Sequence, residues 1–139
     1  MAGSGALALT ALSRVPAQAA TDEFVKYDGM SQAELVRSGQ VSSSELVEAA
    51  IARIEKINPM LNAVVHKLYD DGRAAANGPL PDGPFTGVPY LIKDLSELEG
   101  APLTYGSKLF EHNVADTDNG SVERAKQAGL VIIGKTNTP

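Results

Sequence analysis

The sequence predicts an α/β fold in which helices alternate with short strands, and three observations support that prediction. The composition is that of an ordinary globular domain, with 43% hydrophobic and 21% charged residues in 139 positions, which excludes disorder, collagen and a coiled coil. Apolar residues between positions 42 and 57 recur every three or four residues, the period of an amphipathic helix. Two short apolar runs, at 88–92 and 130–133, are typical of buried strands. Composition by itself also permits an α+β domain.

Two Ser-x-x-Glu capping boxes, beginning at Ser31 and Ser42, predict two helices before the first strand. The first helix is expected over residues 31–38, with Gly39 ending it. The second is expected to end at Asn58-Pro59, because the residue before a proline disfavours the helical conformation. Its apolar face comprises Leu46, Val47, Ala50, Ile51, Ile54 and Ile57.

Weaker signals follow as far as the first apolar run. Residues 61–65 are a short strand candidate, and residues 67–77 could form a weak helix despite Gly72 in its middle. Residues 78–87 carry three prolines and three glycines, which predict repeated turns. The strand expected at 88–92 then leads into a lysine and an aspartate, at the end of a strand where open α/β sheets tend to hold active-site residues.

The last part of the chain predicts a helix followed by the clearest strand of the sequence. Asp118 or Asn119 could cap a helix that runs to Ala128, and residues 130–133 form the strand. Residues 129–136 also satisfy the phosphate-loop pattern G-x-x-x-x-G-K-T. A phosphate loop follows a strand and opens a helix, whereas here the four intervening residues are the strand. We therefore interpret the match as coincidence.

Charge and composition exclude several kinds of partner and chemistry. The net charge of −5 and pI near 4.9 disfavour nucleic acid, because an acidic chain repels the phosphate backbone. The chain has no cysteine, and His66 and His112 are far apart in sequence, so neither a metal site nor a cofactor is expected. No run of residues is long and apolar enough to predict a membrane span. The chemistry must therefore come from oxygen and amine groups.

The first twenty residues are either a signal-like segment or a disordered terminus. Residues 6–12 are a short apolar run and residues 16–20 end in small residues, but no basic residue precedes Arg14. The sequence as written favours a cytoplasmic protein. Export to the periplasm is the alternative, if a twin-arginine region lies upstream of Met1. The remaining residues, 21–139, are expected to form one domain segment.

Three blocks in the second half of the chain carry a family resemblance. They are Gly87-Val-Pro-Tyr-Leu-Ile-Lys93-Asp94, Thr104-Tyr-Gly-Ser107 and Gly129-Leu-Val-Ile-Ile-Gly-Lys135-Thr-Asn-Thr-Pro139. In residue type, order and spacing they resemble the N-terminal part of the amidase signature family, and the resemblance covers nearly everything from about residue 30 onward. Within that family the chain is most similar to bacterial members that act on aryl amides and on amide oligomers. The resemblance implies a mixed β-sheet flanked by helices, of which this chain would hold only the N-terminal part.

The resemblance also implies a mechanism and one catalytic residue. Members of the family cut carbon–nitrogen amide bonds of small molecules with a nucleophilic Ser, a bridging Ser in a cis peptide and the Lys of the G-V-P-x-x-x-K-D block, which corresponds to Lys93. A lysine amine can activate a serine hydroxyl if burial keeps it neutral, and the end of a buried strand would provide that burial. Asp94 is expected to fix local geometry or balance the charge of the lysine, and Lys135 to be a surface residue at a strand end.

The sequence also departs from the family pattern. Neither the Gly/Ser-rich signature nor the later nucleophilic Ser is present, and residues 42–44 are helix-capping serines that do not replace it. We therefore expect a truncated amidase segment that is inactive alone, with the strand at 130–133 left as an exposed edge and the chain marginally stable. The alternative is a non-catalytic binding or interaction module derived from an amidase. Neither the amide substrate nor the oligomeric state follows from the sequence.

Overall fold

The computed structural model describes residues 23–139, which fold into four α-helices and one three-stranded sheet. In chain order the elements are α1 (Gly29–Arg37), α2 (Ser43–Leu61), β1 (Val64–Lys67), α3 (Tyr69–Asn77), β2 (Pro89–Lys93), α4 (Gly120–Gln127) and β3 (Val131–Thr136), with 3₁₀ turns at Glu23–Lys26 and Lys108–Phe110. The predicted alternation of helices and short strands is confirmed. The signal-like segment at 1–20 lies outside the described residues.

The sheet has the order β1-β3-β2, so the last strand in the sequence is the central one. β3 pairs antiparallel with β1 and parallel with β2. The expectation that this apolar strand would be left as an exposed edge is therefore wrong. Its first three residues are apolar because the strand is covered on both faces and paired on both sides, whereas within residues 23–139 β2 pairs with β3 alone.

The two capping boxes have different outcomes. At α2 the box is present, with the Glu45 amide donating to the Ser42 hydroxyl and the Glu45 carboxylate accepting from the Ser42 amide. At α1 the predicted start is wrong, because the carboxylate of Asp28 caps the helix by accepting from the Ser31 amide at 2.8 Å. An aspartate is as good an N-cap as a serine, so the helix begins at Gly29.

The predicted end of α2 is also wrong, since the helix runs through Pro59 to Leu61. Asn62, in the left-handed conformation with φ of 48°, ends the helix and donates its amide to the Asn58 carbonyl at 2.7 Å. The Asn58 side chain then holds the backbone of Val64 through two hydrogen bonds. The predicted strand at 61–65 consequently starts later, at Val64.

Helices cover one face of the sheet, and a loop region with α4 covers the other. On the first face, Val47 and Ile51 of α2 form a core cluster with Val131 and Ile133 of β3. On the second face, Ile92 forms a core cluster with Leu98, Ala101 and Val122. α3 lies so close to the sheet that a Cβ on Gly72 would be 2.7 Å from Ile133 Cγ2. Glycine is therefore required in the middle of that helix.

The residues of the phosphate-loop pattern form a turn and the strand β3, as predicted. No helix among residues 23–139 has the length and apolar character needed to cross a membrane.

Candidate active site

Lys93 is the last residue of β2, and its side chain is exposed. Within residues 23–139, no hydrogen bond or ion pair joins its ammonium to another group. The expectation that a buried strand would enclose this lysine is not met within residues 23–139. The physical reason is the position of β2, which within residues 23–139 pairs with one strand only, so no described strand lies on the other side of it.

Asp94 follows Lys93 and is its opposite in environment. The aspartate is 1% exposed, and because successive side chains of an extended segment alternate, it lies on the other face of the sheet. One carboxylate oxygen is 2.9 Å from Lys135 Nζ, and the other accepts from the Thr104 hydroxyl and lies 3.3 Å from His66 Nε2. Burial alone would raise the pKa of Asp94, but the hydrogen bonds from Thr104 and the ion pair with Lys135 outweigh burial and lower it.

Lys135 is fully buried, so the expectation of a surface residue at a strand end is wrong. Its side chain is 0% exposed, and its ammonium is held by the Asp94 carboxylate and the Pro102 carbonyl. An ammonium is tolerated in an interior only where such partners replace its water. The buried lysine of the described chain is thus a different residue from the lysine that the family resemblance indicates.

An irregularity in the sheet directs Lys135 to the face of Asp94. Tyr90 pairs with Ile132, but the next pair is Leu91 with Gly134, so Ile133 is passed over. Beyond that point Lys135 is opposite Ile92, on the second face of the sheet. A Cβ on Gly134 would lie 2.8 Å from the His66 carbonyl oxygen, so only glycine fits this bulge.

The loop carrying the Thr104-Tyr-Gly-Ser block packs against the same aspartate. The Thr104 amide and hydroxyl both donate to the Asp94 carboxylate, and the Tyr105 amide donates to the Asp94 carbonyl at 3.2 Å. Tyr105 has a φ of 53°, which a side-chain-bearing residue adopts only where its surroundings impose it. The predicted turn near the site is present, and Ser107 caps the following 3₁₀ turn by accepting from the Leu109 amide.

A cleft of about 250 Å³ opens beside this cluster, at the end of the sheet where β2 and β3 finish. Its lining includes His66, Asp94, Thr104, Ser107 and Asn137. His66 was not predicted as a site residue, because its partner is 28 positions away in sequence. No sequence signal indicates it, because the pairing that places it opposite Lys135 is seen only in the structure.

The serines at the start of α2 have structural partners. Ser42 caps the helix, and the buried Ser43 hydroxyl donates to the Gly87 carbonyl at 3.0 Å. For Ser42 and Ser43 these contacts are structural ones. Ser43 ties α2 to the residue before β2.

Comparison with known proteins assigns the chain to a family of hydrolases. The family model described as Amidase matches residues 45–139. The chain is 44% identical over 115 residues to the 6-aminohexanoate-cyclic-dimer hydrolase of Paenarthrobacter ureafaciens, and the match covers 81% of this chain and 23% of that protein. It is 35% identical over 113 residues to the acylamidase of Rhodococcus erythropolis, covering 75% of this chain and 23% of that protein.

Solved structures give the same picture. A 6-aminohexanoate cyclic dimer hydrolase complexed with substrate superimposes with a TM-score of 0.75 at 44% identity, covering 81% of this chain and 24% of that one. A bacterial aryl acylamidase of the amidase signature family gives 0.72 at 31% identity, with 81% and 25% covered. This chain spans about a quarter of the length of the curated relatives it matches.

Proposed function

Because this chain belongs to the amidase signature family, we propose that it supplies the lysine base, Lys93, of an enzyme that hydrolyses a small-molecule amide. The relatives named above are a cyclic-dimer hydrolase and an acylamidase, and for this chain the proposed substrate class is a carbon–nitrogen amide bond. The proposed mechanism uses a nucleophilic serine, a bridging serine in a cis peptide and this lysine.

The chemistry assigned to Lys93 follows from the weakness of an amide carbonyl as an electrophile. A serine hydroxyl attacks such a carbonyl only if a base removes its proton, and a neutral lysine amine can be that base. The resulting ammonium then protonates the departing nitrogen, so the lysine returns to its neutral form. Burial favours the neutral amine, and this requires a covering segment at the open edge of β2.

The observation that carries the proposal is that Lys93, which lies in the segment matched by the family model, ends β2 directly before an aspartate that is fixed. The Lys93 amine makes no hydrogen bond or ion pair within the described part of the chain, and Asp94 beside it is held by Lys135 and Thr104. A general base must be available to its proton donor yet attached to a rigid support. The open edge and the fixed aspartate support both requirements.

The described residues supply the base without a nucleophile beside it. The hydroxyls of Ser42, Ser43 and Ser107 are used in capping or tertiary hydrogen bonds, and no serine hydroxyl among residues 23–139 is bonded to Lys93. We therefore propose that both serines of the mechanism come from sequence that corresponds to the other three quarters of the relatives. The 139-residue chain alone is then expected to hydrolyse no amide.

A graft tests this function. The matching 115-residue segment of the Paenarthrobacter 6-aminohexanoate-cyclic-dimer hydrolase is replaced by the corresponding residues of this chain, and hydrolysis of its cyclic amide and of a simple anilide is measured. The graft is expected to turn over substrate, and Lys93→Ala is expected to reduce kcat by about a thousandfold or more. Lys93→Arg should not restore it, because a guanidinium stays charged and cannot accept a proton.

The control is Lys126→Met, which removes an exposed lysine of α4 that pairs with Asp118. Its kcat should match that of the unaltered graft. If Lys93→Ala keeps kcat within about tenfold of the unaltered graft, the proposed role of Lys93 is wrong. A folded graft with no turnover at all would favour the alternative, a non-catalytic binding module.

A further inference from the structure

The buried pair of Lys135 and Asp94 has no role in the mechanism proposed above. The two side chains are 0% and 1% exposed, with 2.9 Å between the ammonium nitrogen and the carboxylate oxygen. Removing two charges from water is costly, and apolar residues of similar volume often make an interior equally or more stable. Stability alone is therefore a weak explanation for this pair.

Asp94 connects the pair to the backbone next to Lys93. Its amide donates to the Thr136 carbonyl at 3.0 Å, so the residue is bonded to β3, and its carbonyl accepts from the Tyr105 amide at 3.2 Å. Its carboxylate accepts from the Thr104 amide at 3.2 Å. The amide, carbonyl and carboxylate of one residue are therefore each held by a different partner. Rotation of the Asp94 backbone would break all of these bonds at once, and the same rotation would redirect the side chain of Lys93.

Lys135 fixes the carboxylate from the opposite side. Its ammonium also donates to the Pro102 carbonyl, which lies at the start of the loop that returns to Asp94 through Thr104. The lysine thus joins β3, the end of β2 and this loop by two bonds from one nitrogen. The remaining partner of the Asp94 carboxylate is His66 on β1, whose Nε2 lies 3.3 Å from a carboxylate oxygen.

We propose that Lys135 is a positioning residue for Lys93. Its ammonium fixes the Asp94 carboxylate, Asp94 fixes the end of β2, and the end of β2 directs the Lys93 amine toward the reacting serine. This inference rests on the proposed function of Lys93. Lys135 itself lies on the other face of the sheet from Lys93 and touches no substrate.

The test separates positioning from stability with two variants of the graft. Lys135→Met removes the lysine ammonium from the buried Asp94 carboxylate, so both stability and kcat are expected to fall. Asp94→Asn combined with Lys135→Met has no buried charge, and the carboxamide oxygen introduced by the first substitution can still accept from the Thr104 amide. The melting temperature of this double variant should recover relative to Lys135→Met, whereas its kcat should stay reduced by about tenfold or more, with KM changed less than about threefold.

A merely structural role predicts a different result for the double variant. If kcat recovers together with the melting temperature, the pair serves stability alone and the proposal is overturned. It is equally overturned if KM rises while kcat is unchanged, because then the pair affects binding and leaves the orientation of the base intact. Lys126→Met is the matched control, a Lys-to-Met change at another Lys–Asp pair, on the surface, and should leave kcat and KM unaltered.

An inactive graft would count against the function of Lys93 and leave the positioning proposal to a second measurement. In the 139-residue chain, the backbone amides of residues 94 and 105 are expected to exchange hydrogen at least about tenfold faster in the double variant than in the native sequence, while the Val47 amide of α2 keeps its rate. Faster exchange confined to these two amides supports the positioning role of Lys135. Equal exchange at these amides overturns it.

Discussion

Lys93 and Lys135 stand at the ends of neighbouring strands, one register position apart, and share almost nothing else. Lys135 pairs with Ile92 and Lys93 with Thr136 in the ladder between β2 and β3. Lys135 is fully buried and ion-paired, and Lys93 is exposed and unbonded within residues 23–139. The difference arises because β3 is the central strand, whereas β2 is an edge strand of the sheet formed by residues 23–139. The lysine on the central strand therefore bonds to groups of two other segments, while the lysine on the edge strand has no partner within residues 23–139 and is the one proposed as the base.

The largest expected effect is on stability, and it should fall on one lysine only. Lys135→Met is expected to lower the free energy of unfolding of the chain by about 3–5 kcal/mol, because it removes the lysine ammonium from a buried carboxylate. Lys93→Met should change it by less than about 0.5 kcal/mol, because an exposed side chain without partners loses no contact. Urea unfolding followed by circular dichroism measures both. Equal losses in the two variants would mean that the environments of the lysines do not differ as described.

A second comparison uses apolar residues of the same two strands. Ile133 of β3 is 1% exposed and belongs to the core cluster with α2, whereas Leu91 of β2 is half-buried and only flanks that cluster. Ile133→Ala is expected to cost about 2–4 kcal/mol and Leu91→Ala about half as much, because a cavity at an open edge can be filled by solvent or by movement. The free energies of unfolding should preserve that order, and a larger loss for Leu91→Ala would contradict it.

The ion pair also predicts a pH dependence. The folded-state pKa of Asp94 lies below its ordinary value of 3.8, so the carboxylate stabilises the fold fully above about pH 4, and this contribution is lost as pH falls through the folded pKa. The native chain should therefore lose stability toward pH 3 more steeply than Asp94→Asn. The two free energies of unfolding, measured by urea titration from about pH 7 to about pH 3, should converge.

A surface carboxylate provides the control for that titration. The pKa of Asp118 is also lowered, because the Lys126 ammonium and the Glu99 amide outweigh its partial burial. Its pair with Lys126 is partly exposed, however, so solvent screens the interaction. Asp118→Asn should therefore change the loss of unfolding free energy between about pH 7 and about pH 3 less than Asp94→Asn does. The reverse order would show that the buried pair does not dominate the acid sensitivity of the fold.

The sequence predicted where the helices and strands lie better than it predicted which strands pair and which side chains meet. The capping box at Ser42 and the apolar run at 130–133 act locally, so both could be recognised from adjacent residues. The central position of β3 depends on β1, which lies far earlier in the chain, and no local pattern encodes that pairing. Lys135 was missed for the same reason, because its burial requires Asp94, which is distant in the sequence.

Simple alternation would also have placed Lys135 on the wrong face. It follows Ile133 by two residues, and a regular strand would direct both side chains toward α2. The bulge at Gly134 changes that direction and brings Lys135 opposite Ile92 and His66. A single glycine within a strand is a known mark of a bulge, but the face it selects depends on the partner strand. The family resemblance indicated Lys93 because its motif is contiguous, whereas the Lys135 pair has no contiguous motif.

The smallest expected effect is a difference in hydrogen exchange between two adjacent backbone amides. It is measured in the unaltered chain, so it involves no change in stability. The Asp94 amide is bonded to the Thr136 carbonyl of β3, and alternation along a parallel strand directs the Lys93 amide to the open edge. In the 139-residue chain the Lys93 amide should therefore exchange hydrogen with water at least about tenfold faster than the Asp94 amide. In the graft, a covering segment at that edge should slow the Lys93 amide and leave Asp94 as it was. Exchange at Lys93 that is already slow in the chain alone would mean that the edge of β2 is covered, and the contrast between the two lysines would then lose its structural basis.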